Sequence, residues 1–248
     1  MPLDTLEANG LLSALPSVER SEILERCELV RLDFGEVLSE PGQPLRHVYF
    51  PIEGFISQFA VPGDAHNALE IGLIGSEGMY GVELALGVNE RPLRCVVHGA
   101  GRAWRMNAAD FRSALNTFPA LRRVIDRYLC VLLTQLAQIA ACTRFHLVEE
   151  RLARWLLMTQ DRTEGDHLHL THAVLAQMLG VRRSGVSTAA AALQSRGLIN
   201  YSRGHIEILD RHGLEEASCE CYRAGQTAYA RMLGPRAALR VAEPPRPI

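Results

Sequence analysis

The apolar positions change period along the chain, and those changes divide it into parts. Glu19 to Leu29 carries Ile23, Leu24 and Cys27 at helical spacing behind Ser17, a suitable N-cap, and reads as a short helix. Beyond it the pattern breaks into short runs (Leu29, Arg31, Asp33, then Val37, Ser39) punctuated by Gly35, Pro41, Gly42 and Pro44. The segments His47 to Phe50, Phe55 to Val61, Ala68 to Leu73 and Cys95 to Met106 are β-branched, aromatic or alternating, and Pro62-Gly63-Asp64 is a hairpin turn signal. Many short strands with frequent turn residues predict a small β-barrel or roll over residues 29 to 107.

From Asn107 the period becomes helical. A short helix through Phe111 and Leu115 ends near Phe118, and Pro119 opens a long one, where its missing N–H costs nothing. Along that helix Leu121, Ile125, Tyr128, Leu132, Gln135, Ile139 and Cys142 alternate steps of four and three, a heptad seam. A second stripe, Leu129, Leu133, Leu136 and Ala140, lies on another face. Two apolar faces imply two partners, so a parallel homodimer is expected along the first stripe, with Leu121, Ile125, Tyr128, Leu132, Gln135 and Ile139 as its interface. The β-domain is expected on the second stripe. A helix buried inside one domain satisfies the same periodicity.

Leu147 to Gln160 is amphipathic through Leu147, Leu152, Trp155 and Leu156, and the polar segment Asp161 to Asp166 closes it. In the stretch that follows, Ala176 is small where two helices must cross, Gly180 stands where a tight turn needs positive φ, and Val186 is a wedge between the helices. That is helix-turn-helix spacing. Leu175, Leu179, Val181, Val186, Ala190 and Leu193 are expected inside, while Arg183, Ser184, Ser187 and Thr188 share an acid-free outer face, as a helix entering a major groove requires. Leu198 to Tyr201 and His205 to Leu209 are strand-like runs around Ser202-Arg203-Gly204 and complete a winged helix, with double-stranded DNA as the expected partner. No internal repeat is present, and the Pro/Arg-rich tail from Gly234 to Ile248 is expected to be mobile.

Composition adds limits. With 248 residues, 48% hydrophobic, the chain can bury one large core or two ordinary ones, and intrinsic disorder is excluded as a description of the whole. No consecutive apolar run approaches a membrane span, and Met1 to Asn9 holds two acids and no base, unlike an export signal, so a cytoplasmic protein without membrane contact is expected. The net charge of -2 gives no overall basic character. Residues 1 to 144 hold 13 arginines against 17 acids, and residues 145 to 248 hold 13 against 11, a small basic shift toward the helix-turn-helix. No nucleophile elbow, P-loop or His-Glu-x-x-His run is present, and no enzyme activity is expected. A regulatory subunit acting through protein contacts, and a metal- or thiol-based enzyme, are the competing classes.

The order of parts resembles the Crp/Fnr family of bacterial transcription regulators over residues 10 to 222. The likeness rests on Gly35-Glu-Val-Leu with Pro41-Gly42, on Val48-Tyr-Phe with Glu53-Gly54, on Glu77-Gly78 with Gly81, on Glu150-Arg151-Leu152-Ala153, and on the winged helix. The resemblance implies an α+β chain with an N-terminal jelly-roll sensor of cyclic-nucleotide-binding type (1–118), a dimerisation helix (119–144), a winged helix-turn-helix domain (145–222) and a C-terminal extension (223–248). It places Arg183 where relatives carry a guanine-reading arginine; Ser184 and Thr188 depart from the usual glutamate and second arginine, so the family's half-site does not transfer. Thr171, Arg182, Ser187, Arg203 and His205 are candidate phosphate contacts, Arg182 also being a poor helix cap. RNA polymerase is a further possible partner.

In the family's phosphate cassette Gly-Glu-Leu precedes Arg-Ser/Thr. Here Gly81, Glu83, Arg91 and Arg94 are the candidate ligand residues, but Val82 separates Gly81 from Glu83, and Pro92 after Arg91 removes a backbone donor, so cAMP is not the expected effector. The effector stays unidentified and no cofactor is expected. The cysteines at 27, 95, 130, 142, 219 and 221 lack the N-terminal clustering of an iron–sulfur relative and read as reduced, mostly buried thiols, so no metal is expected. His47, His66 and His98 are possible haem ligands whose ordinary reading is core or surface.

Overall fold

The computed structural model describes residues 9–63, 68–163 and 167–234. Two short helices, α1 (Gly10–Ser13) and α2 (Ser17–Leu24), lead into an antiparallel sheet of β1 (Glu28–Leu32), β2 (Val37–Ser39), β3 (His47–Ala60), β4 (Leu69–Ile74) and β5 (Arg94–Asn107). Ser17 is the first residue of α2, and Pro16 takes the cap position expected for Ser17. Strand β5 is the hub: β1 pairs with its second half, β2 with Cys95 and Val96, and β3 runs along its length. The two runs expected at 47–50 and 55–61 join into one bulged strand. Gly54, at φ 74°, makes the join possible, because a Cβ there would sit 2.2 Å from the Gly99 carbonyl oxygen.

Helices α3 (Ala108–Thr117) and α4 (Pro119–Phe145) follow, with Pro119 in the first turn of α4 as expected. α4 divides its sides differently from the sequence reading. Leu121, Ile125 and Tyr128 are buried in the chain's own core with Leu11, Phe111 and Met79, Leu132 packs at its edge, and Gln135 and Ile139 are half-buried. The first half of the stripe assigned to the dimer seam is thus claimed by the sensor domain, and Leu121, Ile125 and Tyr128 have no surface left for a partner. Leu133 and Leu136, assigned to the β-domain, are 68% and 44% exposed. α4 is also apolar and long enough, by composition and length, to cross a membrane, although its apolar residues are not consecutive. Its buried face packs instead on the sensor core and on α9.

The C-terminal part comprises α5 (Val148–Gln160), β6 (His167–His169), α6 (His172–Leu179), α7 (Arg183–Ser195), the hairpin β7 (Ile199–Ser202) and β8 (His205–Ile208), α8 (Arg211–Ala217) and α9 (Cys221–Leu233). Leu147, expected inside the helix, is the cap before α5, and Glu150 reaches back to accept from its N–H at 3.0 Å. α9 crosses the boundary expected after residue 222, and its Tyr229 and Leu233 join the sensor core. The expected mobile tail lies, apart from Gly234, outside the described residues.

Two polar links hold the C-terminal domain to the sensor. Arg162, just past α5, donates to Glu77 Oε1 from Nε at 3.0 Å and Nη2 at 2.7 Å, with side chains 1% and 0% exposed. Trp155 of α5 donates to Glu70 of β4 at 2.6 Å. Burial pushes the Glu70 carboxyl up to about 7, against the Ser57 and Trp155 hydrogen bonds that favour its ionised form. Arg162→Met, which leaves Glu77 buried without its cation, is expected to lower unfolding stability by about 3 to 5 kcal/mol in urea titrations. A loss below about 1 kcal/mol, the value of an exposed pair, would contradict this role.

Candidate nucleic-acid interface and sensor site

Thr171 caps α6, its Oγ1 accepting from the Val174 N–H at 3.3 Å. Gly180 ends that helix at φ 62°, the left-handed value the tight turn needs. Arg151 of α5 donates to the Leu179 carbonyl and pins the turn from beneath. Leu175, Leu179, Val186, Ala190 and Leu193 are buried and Val181 is half-buried, so α7 is held by its inner face. The other face then points outward: Arg183, Ser184 and Thr188 are exposed, as is Arg182. Arg182 stands at the cap of α7 with no side-chain hydrogen bond to the helix, the weak cap the sequence suggested.

Ser187 is half-buried and differs from its neighbours. Its Oγ lies 2.9 Å from His172 Nδ1 and 3.1 Å from the Arg183 carbonyl oxygen, and Thr188 Oγ1 donates back to the Ser184 carbonyl at 3.1 Å. Sequence reasoning passed over His172. Its ring stacks on Tyr201 of the wing at 4.4 Å between centroids, so it joins α6, α7 and β7 at one point. Burial, and then the Arg183 charge, hold its pKa below the ordinary histidine value, which favours a neutral ring at this contact. A histidine in the first turn after a helix cap gives no sequence signal of that role, because its partners lie 15 and 29 residues away.

The wing turns through Arg203 and Gly204 at φ 51° and 85°, between the paired residues Ser202 and His205. Positive φ at both central positions suits the twist of a two-residue hairpin. Arg203 is the one non-glycine with positive φ among the described residues, and it is exposed at the tip. His205 is exposed on β8 beside it. Thr171, Arg182, Arg183, Ser184, Thr188, Arg203 and His205 are thus exposed on the helix-turn-helix and wing, with Ser187 tied inward.

In the sensor domain, Gly81 at φ 86° opens a short 3-10 turn, Val82–Leu86, that carries Glu83. Arg91 is only 1% exposed. It donates from Nη1 to Glu83 Oε2 and from Nη2 to Gln58 Oε1, both at 2.6 Å, and from Nε to Cys95 Sγ at 3.0 Å, with its guanidinium 4.6 Å from the Tyr80 ring centre. Gly81, Glu83 and Arg91 therefore come together, whereas Arg94 pairs with Glu40 at 3.2 Å. The Arg91 charge is already answered by a carboxylate, and a phosphate would have to displace Glu83 to reach it. His98 lies between the Phe34 and Phe59 rings, where burial lowers its pKa to about 4; His66 lies outside the described residues. Cys142, Cys219 and Cys221 are buried together, while Cys130 is exposed on α4.

Relief of the backbone strain at the wing tip separates stability from binding. Arg203→Gly is expected to raise stability by about 1 kcal/mol and to weaken duplex binding, with the salt slope of log K falling by about 1 per arginine lost. Thermal melting and titrations at several salt concentrations measure both; unchanged binding would remove Arg203 from the interface.

Residues 150–217 match the family model of the Crp-like helix-turn-helix domain. The fold matches solved structures at low identity. The c-di-GMP-responsive global regulator CLP of Xanthomonas campestris is 20% identical, with TM-score 0.63 over 78% of this chain and 99% of that one. A Crp/Fnr-family regulator of Thermus thermophilus is 24% identical, with TM-score 0.63 over 77% and 98%. FixK2 of Bradyrhizobium japonicum is 15% identical, with TM-score 0.65 over 78% and 98%. No curated protein sequence matches the chain. Residues 150–217 thus form a Crp-like helix-turn-helix domain, carried on the sensor, long-helix and winged-helix fold that this chain shares with these regulators.

Proposed function

We propose that the protein acts in the cytoplasm as a homodimer that reads an inverted-repeat DNA site, under the control of a signal other than cAMP. The observation that carries this reading is the exposed, acid-free edge of α7 from Arg182 to Thr188 beside the arginine-tipped wing. Arg183 reads a guanine through O6 and N7, while Thr171, Arg182, Arg203 and His205 set register on phosphates. Ser187 serves chiefly to hold α7 against His172.

The dimer forms through the outward face of α4. Cys130, Leu133, Ala137 and Ala140 follow one another at steps of three and four on the side opposite the buried residues, and all four are exposed. Two alanines let the helices approach closely, and Leu133 supplies the apolar contact. Dimerisation is typical of the Crp/Fnr homologues, which supports a second copy as the occupant of this face. The internal saturation of Arg91 by Glu83 and Gln58 supports an effector that does not bring a cyclic phosphate to that arginine.

Arg183→Ala is expected to cost about 1 to 3 kcal/mol on the specific site and to relax base preference at one position per half-site. Selection of binding sites from a random duplex pool, followed by titration, reads both; an unchanged preference would contradict direct readout. Leu133→Glu places a charge opposite its own copy and is expected to yield monomers by sedimentation at micromolar concentration with little change in helix content. A dimer that persists would locate the interface elsewhere.

A further inference from the structure

We propose that Cys142, His146, Cys219 and Cys221 form a structural zinc site at the joint between the long helix and the C-terminal domain. Their ligand atoms all lie within 4.8 Å of one another. Cys142 is in the last turn of α4 and His146 is its C-cap, so helical spacing puts both on one side. Cys219 and Cys221 flank Glu220 where α8 gives way to α9. Cys142 Sγ is 3.6 Å from Cys219 Sγ, and Cys221 Sγ is 3.6 Å from His146 Nδ1. With Zn–S about 2.3 Å and Zn–N about 2.0 to 2.1 Å, tetrahedral coordination spaces two sulfurs about 3.8 Å apart and a sulfur and a nitrogen about 3.5 Å apart. The observed separations fit one such ion, and a multi-iron cluster would hold its thiolates further apart.

The surroundings support the same assignment. The three thiols are 0%, 4% and 7% exposed and make a small cluster of their own. They stand apart from both the sensor core and the helix-turn-helix core. His146 Nε2 lies 3.0 Å from Glu220 Oε1, and its Nδ1 is turned to the cysteines, 3.6 Å from Cys221 Sγ. A carboxylate behind a histidine ligand fixes ring orientation and raises ligand basicity. Three thiolates and one neutral imidazole are a known structural zinc set, and each thiol releases its proton to solvent as the ion binds. Such an ion would clamp the end of α4 and its cap to the junction of α8 and α9, 75 to 77 residues further along the chain.

The test uses the full chain, expressed with zinc in the medium and purified without chelator. Elemental analysis is expected to give about one zinc per chain, released when the thiols are titrated with a mercurial. Cys142→Ser with Cys219→Ser should reduce the content to about a tenth, and Cys130→Ser should leave it unchanged. Because the double variant could fail to fold, cobalt(II) added to the reduced, metal-free wild-type chain gives a second readout: thiolate-to-cobalt absorption with tetrahedral d–d bands. Wild-type protein that carries no zinc and gives no cobalt bands overturns the assignment. So does zinc that persists in a folded double variant, or a mass two daltons low with Cys142 and Cys219 linked.

Discussion

The arrangement of this molecule depends on one buried ion pair. Arg162 and Glu77 lie 85 residues apart, yet they meet where the sensor, α4, α5 and α9 converge. Removing both charges from water is costly, and the hydrogen bonds around the pair offset that cost, although Glu77 Oε2 is buried without a partner among the described residues. Glu77 Oε1 accepts two guanidinium hydrogen bonds and the Gly75 N–H at 3.1 Å, while Arg162 Nη1 donates to the Met158 carbonyl at 2.6 Å. Well-packed apolar residues could provide equal stability there. What the pair adds is position: it admits one placement of α5 against the sensor, and the helix-turn-helix rests on α5 through the buried Leu152, Leu156 and Val186.

A second consequence concerns α4. Once the sensor and α9 occupy one side of it, the opposite side is left with Cys130, Leu133, Ala137 and Ala140, and a signal altering the sensor core would bear on the same helix that is proposed to join two copies. Allosteric control in this architecture needs an effector with different affinity for two states. The Arg91 cluster is a closed site in the described state, with every guanidinium nitrogen engaged.

Much of this was legible in the sequence, for reasons that particular residues make plain. Ala176, Gly180 and Val186 announced the helix-turn-helix because steric demands at a tight helical crossing are local and leave few residue choices. Pro119 marked the start of α4 for the same kind of reason. The apolar stripes of α4 were visible but not what covers each, because periodicity records which positions are apolar and not which surface covers them; Tyr128, fully buried, and Leu133, exposed, stand on stripes of equal regularity. The runs 47–50 and 55–61 read as separate strands, since one sequence cannot show that Gly99 approaches Gly54 across the sheet. Glu77 and Arg162, His172 and Tyr201, and Cys142 and Cys219 are tertiary pairs whose members carry no mark of each other, and so the joints of the molecule were the least readable part.

In the proposed dimer two copies of the α7 edge face one duplex. Hydroxyl-radical footprinting of the full chain on its selected site tests it most directly. Two protected blocks are expected about 10 base pairs apart on one side of the helix, related by the symmetry of an inverted repeat. A single protected block, or protection without two-fold symmetry, would contradict it.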